Sequence, residues 1–197
     1  MKFILFLFFS TLTFFVSSQN FIDTKSIELK ILDLNSKHRV SKGESERTYS
    51  EVCKKAADLQ LDYLVKNSLI THSSNITLKG KKLLEPYQRF DYFNKDSIKP
   101  ANSSGKISLN WYVGEVIGYM VEDYVNDSTI NNKIATNIYN GFCNSKMHNY
   151  IINAHNYFAE RKTTGYFSVK VRVLEQTTET LNLQIYCVGV MSNTYKQ

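Results

Sequence analysis

An α/β domain, with helices layered on both sides of a mainly antiparallel sheet, is the fold class this sequence predicts. Three observations lead there. Apolar residues recur at helical steps through much of the chain. Near the C-terminus the period switches to two, in a pair of segments joined by a polar turn. The length, 197 residues, suits one domain with a substantial core. Helices followed by paired strands fit one mixed domain with its sheet between helical layers.

The first segment reads as an address rather than as structure. Met1-Lys2 is a short charged start, Phe3 to Val16 is an apolar run broken only by Ser10, Thr11 and Thr13, and Ser17-Ser18 supplies small residues. This is the pattern of a secretory signal over residues 1–18, cut near Ser18. The run is short for a membrane span, and no later segment is apolar enough to be one. The mature chain is therefore expected to be secreted, extracellular or periplasmic, without a transmembrane span. An uncleaved N-terminal anchor is the competing reading.

The formal charge of +6 falls by one when Lys2 leaves. Basic and acidic residues are interspersed, which describes a solvated surface and argues against nucleic acid as a partner. Lys79-Gly-Lys-Lys82 is the one basic cluster, read as a solvated loop. Three cysteines, Cys53, Cys143 and Cys187, are too few for a disulfide framework and odd in number. Cys53 and Cys187 sit among apolar neighbours, as buried free thiols do, although one bridge is also open.

In chain order, Ile27, Ile31, Leu34 and the stem of His38 predict a helix over 26–39, and Gly43 a turn after it. Thr48-Tyr-Ser-Glu51 has the form of a capping box that opens a helix with Val52, Ala56, Leu59 and Tyr63 on one face. That helix runs to about Leu69, just before His72. Residues 73–110 carry both prolines, Pro86 and Pro100, and form the irregular segment of the domain, with a short helix or turn over 87–93. Aromatic residues crowd this region: Tyr87, Phe90, Tyr92, Phe93, Trp111 and Tyr112. Ser108 to Met120 reads as extended and buried around Glu115. Ile130, Ile134, Ile138 and Phe142 predict a helix after a turn at 126–128, and Ser145 caps a short one through about Asn153. Phe167, Val169, Val171 and Val173 alternate with polar residues, as do Leu181, Leu183, Ile185 and Cys187, and residues 176–180 turn one segment into the other. Three glycosylation sequons, at Asn75, Asn102 and Asn126, are what so Asn-, Ser- and Thr-rich a chain produces by chance.

The order of these pieces resembles a known family. Leu34-Asn35-Ser-Lys-His-Arg39 followed by Gly43 resembles the opening of the CAP superfamily, also called SCP or pathogenesis-related-1-like. The helix with Ala56, Ala57 and Leu64 looks like the one that ends in that family's first site histidine, here His72. Gly114-Glu115-Val116-Ile117 looks like its Gly-Glu-Asn-Ile strand, with Val116 for the usual Asn. Phe142-x-x-Ser145-x-x-His148 resembles the bacterial Trp-x-x-Ser-x-x-His form, with Phe142 for Trp. Ser145 stands where animal and plant members carry a second glutamate, and the family's glycine-rich strand after the second histidine is not clear. The resemblance covers residues 27–191 and implies a three-layer α-β-α sandwich of bacterial SCP type.

It also implies a site. His72, Glu115, His148 and Ser145 would line one cleft. His72 and His148 are candidate ligands for a divalent cation such as zinc, and Glu115 is a candidate to orient water, accept a proton or fix an imidazole tautomer. The competing reading is a hydrogen-bonded polar cluster that stiffens the core. His38 and His155 have no ligand spacing and are left as helix-end or solvent residues. Three functions fit these residues. The first is an extracellular module that binds a small-molecule, lipid, cell-wall or protein ligand. The second is a metal-dependent hydrolase with His72 and His148 as ligands and Glu115 as base. The third is a non-catalytic surface protein whose segment 73–110 recognises a partner.

Overall fold

The computed structural model describes residues 22–94, 112–123, 128–153, 163–177 and 181–195. The signal segment, Pro100, Asn102, Trp111, Asn126, His155 and the turn at 178–180 lie outside the described residues.

The elements run α1 (Thr24–Ser41), β1 (Arg47–Thr48), α2 (Glu51–Asn67), β2 (Ile76–Leu78), β3 (Lys81–Leu83), α3 (Pro86–Phe93), β4 (Tyr112–Asp123), α4 (Ile130–Asn144), α5 (Lys146–Asn153), β5 (Thr163–Thr177) and β6 (Leu181–Tyr195). β1, β5, β6 and β4 form one sheet in that order, antiparallel except where β1 joins β5. β2 and β3 form a separate small hairpin. Helices cover both faces of the main sheet, so the α/β layering read from the sequence is the layering observed.

Side-chain alternation assigns the faces. Phe167, Val169 and Val171 of β5 and Leu183, Ile185, Cys187 and Met191 of β6 pack with Val116 against α1, α4 and α5. Ile117, Tyr186, Val188 and Val190 point the other way, onto α2 and Phe90 of α3. β6 is thus buried on both faces. The sequence showed alternation in its first half only, because Val188 and Val190 continue the apolar run on the second face.

Two expectations are corrected. Thr48 does not open α2: its backbone pairs with Tyr166 of β5, and the helix begins after Ser50, whose Oγ accepts from the Cys53 N–H at 3.3 Å. The buried face of α2 accordingly turns toward Cys53, Ala57, Leu61 and Leu64, leaving Leu59 and Tyr63 half-buried. Of the irregular segment 73–110, the described part, 73–94, is also more ordered than its composition implies. Gly80 and Lys79 turn the hairpin with positive φ, and α3 starts with Pro86 at its first position. Gln88 Oε1 accepts from the Leu84 and Glu85 N–H groups at that start. Leu83 and Phe90 are buried, which ties residues 76–93 to the core.

The Asn35 and Arg39 pair has a structural role. Both are buried on α1. Asn35 Nδ2 donates to the Ile152 carbonyl and to Asn153 Oδ1, each at 3.3 Å. Arg39 donates to the Asn153 carbonyl at 3.0 Å and to the Ser45 carbonyl at 2.9 Å. These bonds satisfy carbonyls at the C-terminal end of α5, where a cation is also favourable. They fix the helix that carries His148.

Gly189 sits opposite Val116 in the β4–β6 ladder. A Cβ there would lie 2.9 Å from both Phe167 Cε2 and Val116 Cγ2. Gly189→Ala should therefore lower the unfolding free energy by about 1–3 kcal/mol through overpacking. Urea unfolding of the two proteins measures it, and an unchanged midpoint would show that the ring yields freely.

Candidate functional site

The site is built around a carboxylate that an apolar strand has no ordinary reason to contain. Glu115 pairs with Val190 in the ladder and shares its face with Ile117. Its side chain is 1% exposed, so it needs partners inside the protein.

Arg89 of α3 is the first. Its Nη2 donates to Glu115 Oε2 at 2.7 Å, and its own side chain is 0% exposed. The same guanidinium reaches the His72 carbonyl at 2.9 Å, Ser74 Oγ at 3.0 Å and the Leu84 carbonyl at 3.1 Å. A planar fork suits this role, because several donors leave one group in fixed directions. One buried cation thereby joins β4, α3 and the segment on either side of the β2–β3 hairpin.

His72 is the second partner. α2 ends at Ser68, which takes the left-handed conformation with φ 51, and the chain leaves the helix there. Gln60, buried on α2, donates to the Thr71 carbonyl at 2.6 Å and holds the exit segment. His72 Nδ1 then lies 3.1 Å from Glu115 Oε1. The His72 side chain is 49% exposed, so the pair spans from core to surface.

His148 arrives from the other helical layer. Ser145 Oγ accepts from the His148 N–H at 3.4 Å, the N-cap role expected of Ser145. The ring stands edge-on to Phe142, with centroids 5.6 Å apart. Burial lowers its pKa from the ordinary 6.5, and the nearby His72 adds to that shift by charge repulsion. His72 and Glu115 are thus in direct contact, and of the two only His72 acts on His148, through charge.

Beside His148 a groove of about 310 Å³ runs between β4 and α4. Ile117, Met120, Ile138 and Phe142 line it, together with the polar Asn137, Ser145 and His148. His72 and Glu115 are not among its lining residues.

Among the described residues, a resident metal would need more donors than the two imidazoles and Glu115 offer. Both Glu115 oxygens are engaged, one by Arg89 and one by His72. Among the described residues no group of three His, Cys, Asp or Glu side chains converges. Two imidazoles supply half of a tetrahedral zinc shell and fall short of the three protein ligands usual in catalytic sites. Cys53, Cys143 and Cys187 are free thiols, and burial raises the pKa of Cys53 and Cys187. His38 stands edge-on to Tyr139, with ring centroids 6.2 Å apart.

Arg89 is the site residue that sequence reasoning passed over. Its signal was indirect: a carboxylate buried in an apolar strand requires a cation, and α3 supplies one between Gln88 and Phe90.

Comparison with known proteins adds little at the level of sequence. No protein-family profile matches the chain, and no curated protein does. Among solved structures it is similar to an outer surface protein from Borrelia burgdorferi, at 17% identity and a TM-score of 0.49, over 89% of this chain and 97% of that one. It is also similar to an extracellular protein containing an SCP domain from Bacillus anthracis strain Ames, at 11% identity and a TM-score of 0.41. That match covers 83% of this chain and spans 40% of the other. Among the described residues no helix is long and apolar enough to cross a membrane.

Two outcomes follow from the geometry. Arg89→Met strands a buried carboxylate and should cost about 3–5 kcal/mol, whereas the double substitution with Glu115→Leu should recover most of that loss. Urea unfolding of the three variants decides, and a double variant no more stable than Arg89→Met would show that the pair is not an isolated ion pair. The second outcome concerns pH. The folded-state pKa of His148 is depressed, so the unfolded chain takes up this proton first as pH falls. Its contribution to stability is full above the unfolded value of about 6.5 and is lost as pH drops to the folded value. The melting temperature of His148→Gln should accordingly fall less between pH 7 and pH 5 than that of the wild type. Parallel curves would remove His148 as the source.

Proposed function

We propose that this chain is a secreted CAP/SCP-type binding module whose ligand site lies at His72 and His148, with Glu115 as an internal support. The order of Asn35 and Arg39, His72, Glu115, Ser145 and His148 supports the family reading, together with the signal-like start at residues 1–18. The single observation that carries the functional reading is the enclosure of Glu115. A general base needs an oxygen that water can reach, and Glu115 is 1% exposed, with one oxygen against Arg89 and the other against His72. Glu115 thus acts on His72 rather than on a substrate, in the manner of a carboxylate that orients a ligand histidine. His72 keeps a half-exposed ring with its second nitrogen uncommitted in the Glu115 bond, and His148 borders an apolar groove. Concave apolar walls with a few convergent polar groups describe a small-ligand site.

The hydrolase reading gives the sharpest test. Purified mature protein, supplied with Zn²⁺, should cleave neither a casein-derived peptide nor a p-nitrophenyl ester faster than His72→Ala does. In the same preparation, a screen of small fragments and of Zn²⁺ should move the ring NMR signals of His72 and His148 before others. Wild-type turnover abolished in both His72→Ala and His148→Ala, at unchanged melting temperature, would replace the binding reading with the hydrolase. Rings that respond to nothing in the screen would leave the cluster a structural one.

A further inference from the structure

Glu115 lies between two nitrogen groups, and only one of them has a choice of role. Arg89 is donor-only, so Glu115 Oε2 accepts its N–H. A carboxylate paired in this way is an acceptor at both oxygens, and charge-assisted bonds of this kind are the strong ones. Oε1, at 3.1 Å from His72 Nδ1, must therefore also accept. Nδ1 carries the hydrogen, and in the neutral ring Nε2 keeps its lone pair. A free neutral imidazole has the opposite preference.

We propose that Arg89 is a positioning residue that decides which ring nitrogen His72 presents to the cleft. It does so through Glu115, and it also holds the His72 backbone through the His72 carbonyl at 2.9 Å. Both the place and the polarity of the ring are then set from one buried side chain. The inference deepens the binding reading above by naming the chemistry the site accepts. His72 offers an electron pair, so its ligand brings an N–H or O–H donor or a cation, and a bare anion finds no complement there.

Glu115→Gln tests this with almost no change of shape. Arg89 still requires an acceptor, so it keeps the amide oxygen on its own side and turns the NH₂ toward His72. That NH₂ must donate to Nδ1, and the ring hydrogen must move to Nε2. Nitrogen-15 NMR of the ligand-free mature chain at pH 8 reads this directly. The wild type should show the Nδ1–H tautomer, and Glu115→Gln should show the two ring signals fully exchanged. Ser74→Ala is the structural control: it removes an Arg89 acceptor that lies 3.0 Å away, so it should lower the melting temperature and leave the tautomer unchanged. An Nε2–H ring in the wild type, or an Nδ1–H ring in folded Glu115→Gln, overturns the proposal. Because the tautomer measurement uses no ligand, a failed ligand screen and a failed tautomer test are separate results.

Discussion

The buried pair of Arg89 and Glu115 is the constraint on which the rest of the site depends. Either residue alone would be among the most costly groups to enclose in this protein. Together they compensate one another, and Nη1 and Nη2 of Arg89 also donate to a hydroxyl and two carbonyls, while its Nε–H has no partner among the described residues. The pair also explains why the segment after His72 is folded rather than loose. The β2–β3 hairpin and α3 bring to Glu115 the cation that β4 and α2 do not supply. His72 is held in the same act, through its ring on one side and its carbonyl on the other.

A second set of buried polar bonds does the matching work in the opposite layer. Asn35 and Arg39 of α1 grip the end of α5, and Ser145 caps the start of the same helix. α5 has only two turns and would be marginal without fixed ends. His148 therefore owes its position to contacts at both ends of a short helix, whereas His72 owes its own to a buried ion pair. The two imidazoles are delivered by independent devices on opposite sides of one sheet.

The fold class, the helices of both layers and the C-terminal hairpin were legible in the sequence, because each rests on hydrophobic period. The boundaries failed where pairing overrode local pattern. Thr48 has the chemistry of a cap, but its backbone is taken by β5. The candidate site was legible in part for a similar reason. His72, Glu115 and His148 were singled out as candidates through their order and surroundings, and the structure places His72 against Glu115 and shows the cap at Ser145. Arg89 lies in a segment with no periodic signal, and its meaning comes entirely from a contact with a residue distant in sequence. What could have exposed it is a question of compensation: which cation answers the carboxylate in Trp111-Tyr-Val-Gly-Glu115-Val-Ile117.

Gly189 gives the site a further dependence. It faces Val116, the residue directly after Glu115, and the space a side chain would fill is already held by Phe167 and Val116. A strand displaced by one position would turn every side chain to the other face of the sheet. For β4 that would send Glu115 into the apolar layer of α4 and α5, and Val116 toward Arg89. In the observed alignment the missing side chain of Gly189 is what lets Phe167 and Val116 close over this point of the ladder. The face on which Glu115 meets Arg89 thus depends partly on a residue with no side chain, whose room is taken by its neighbours across the ladder.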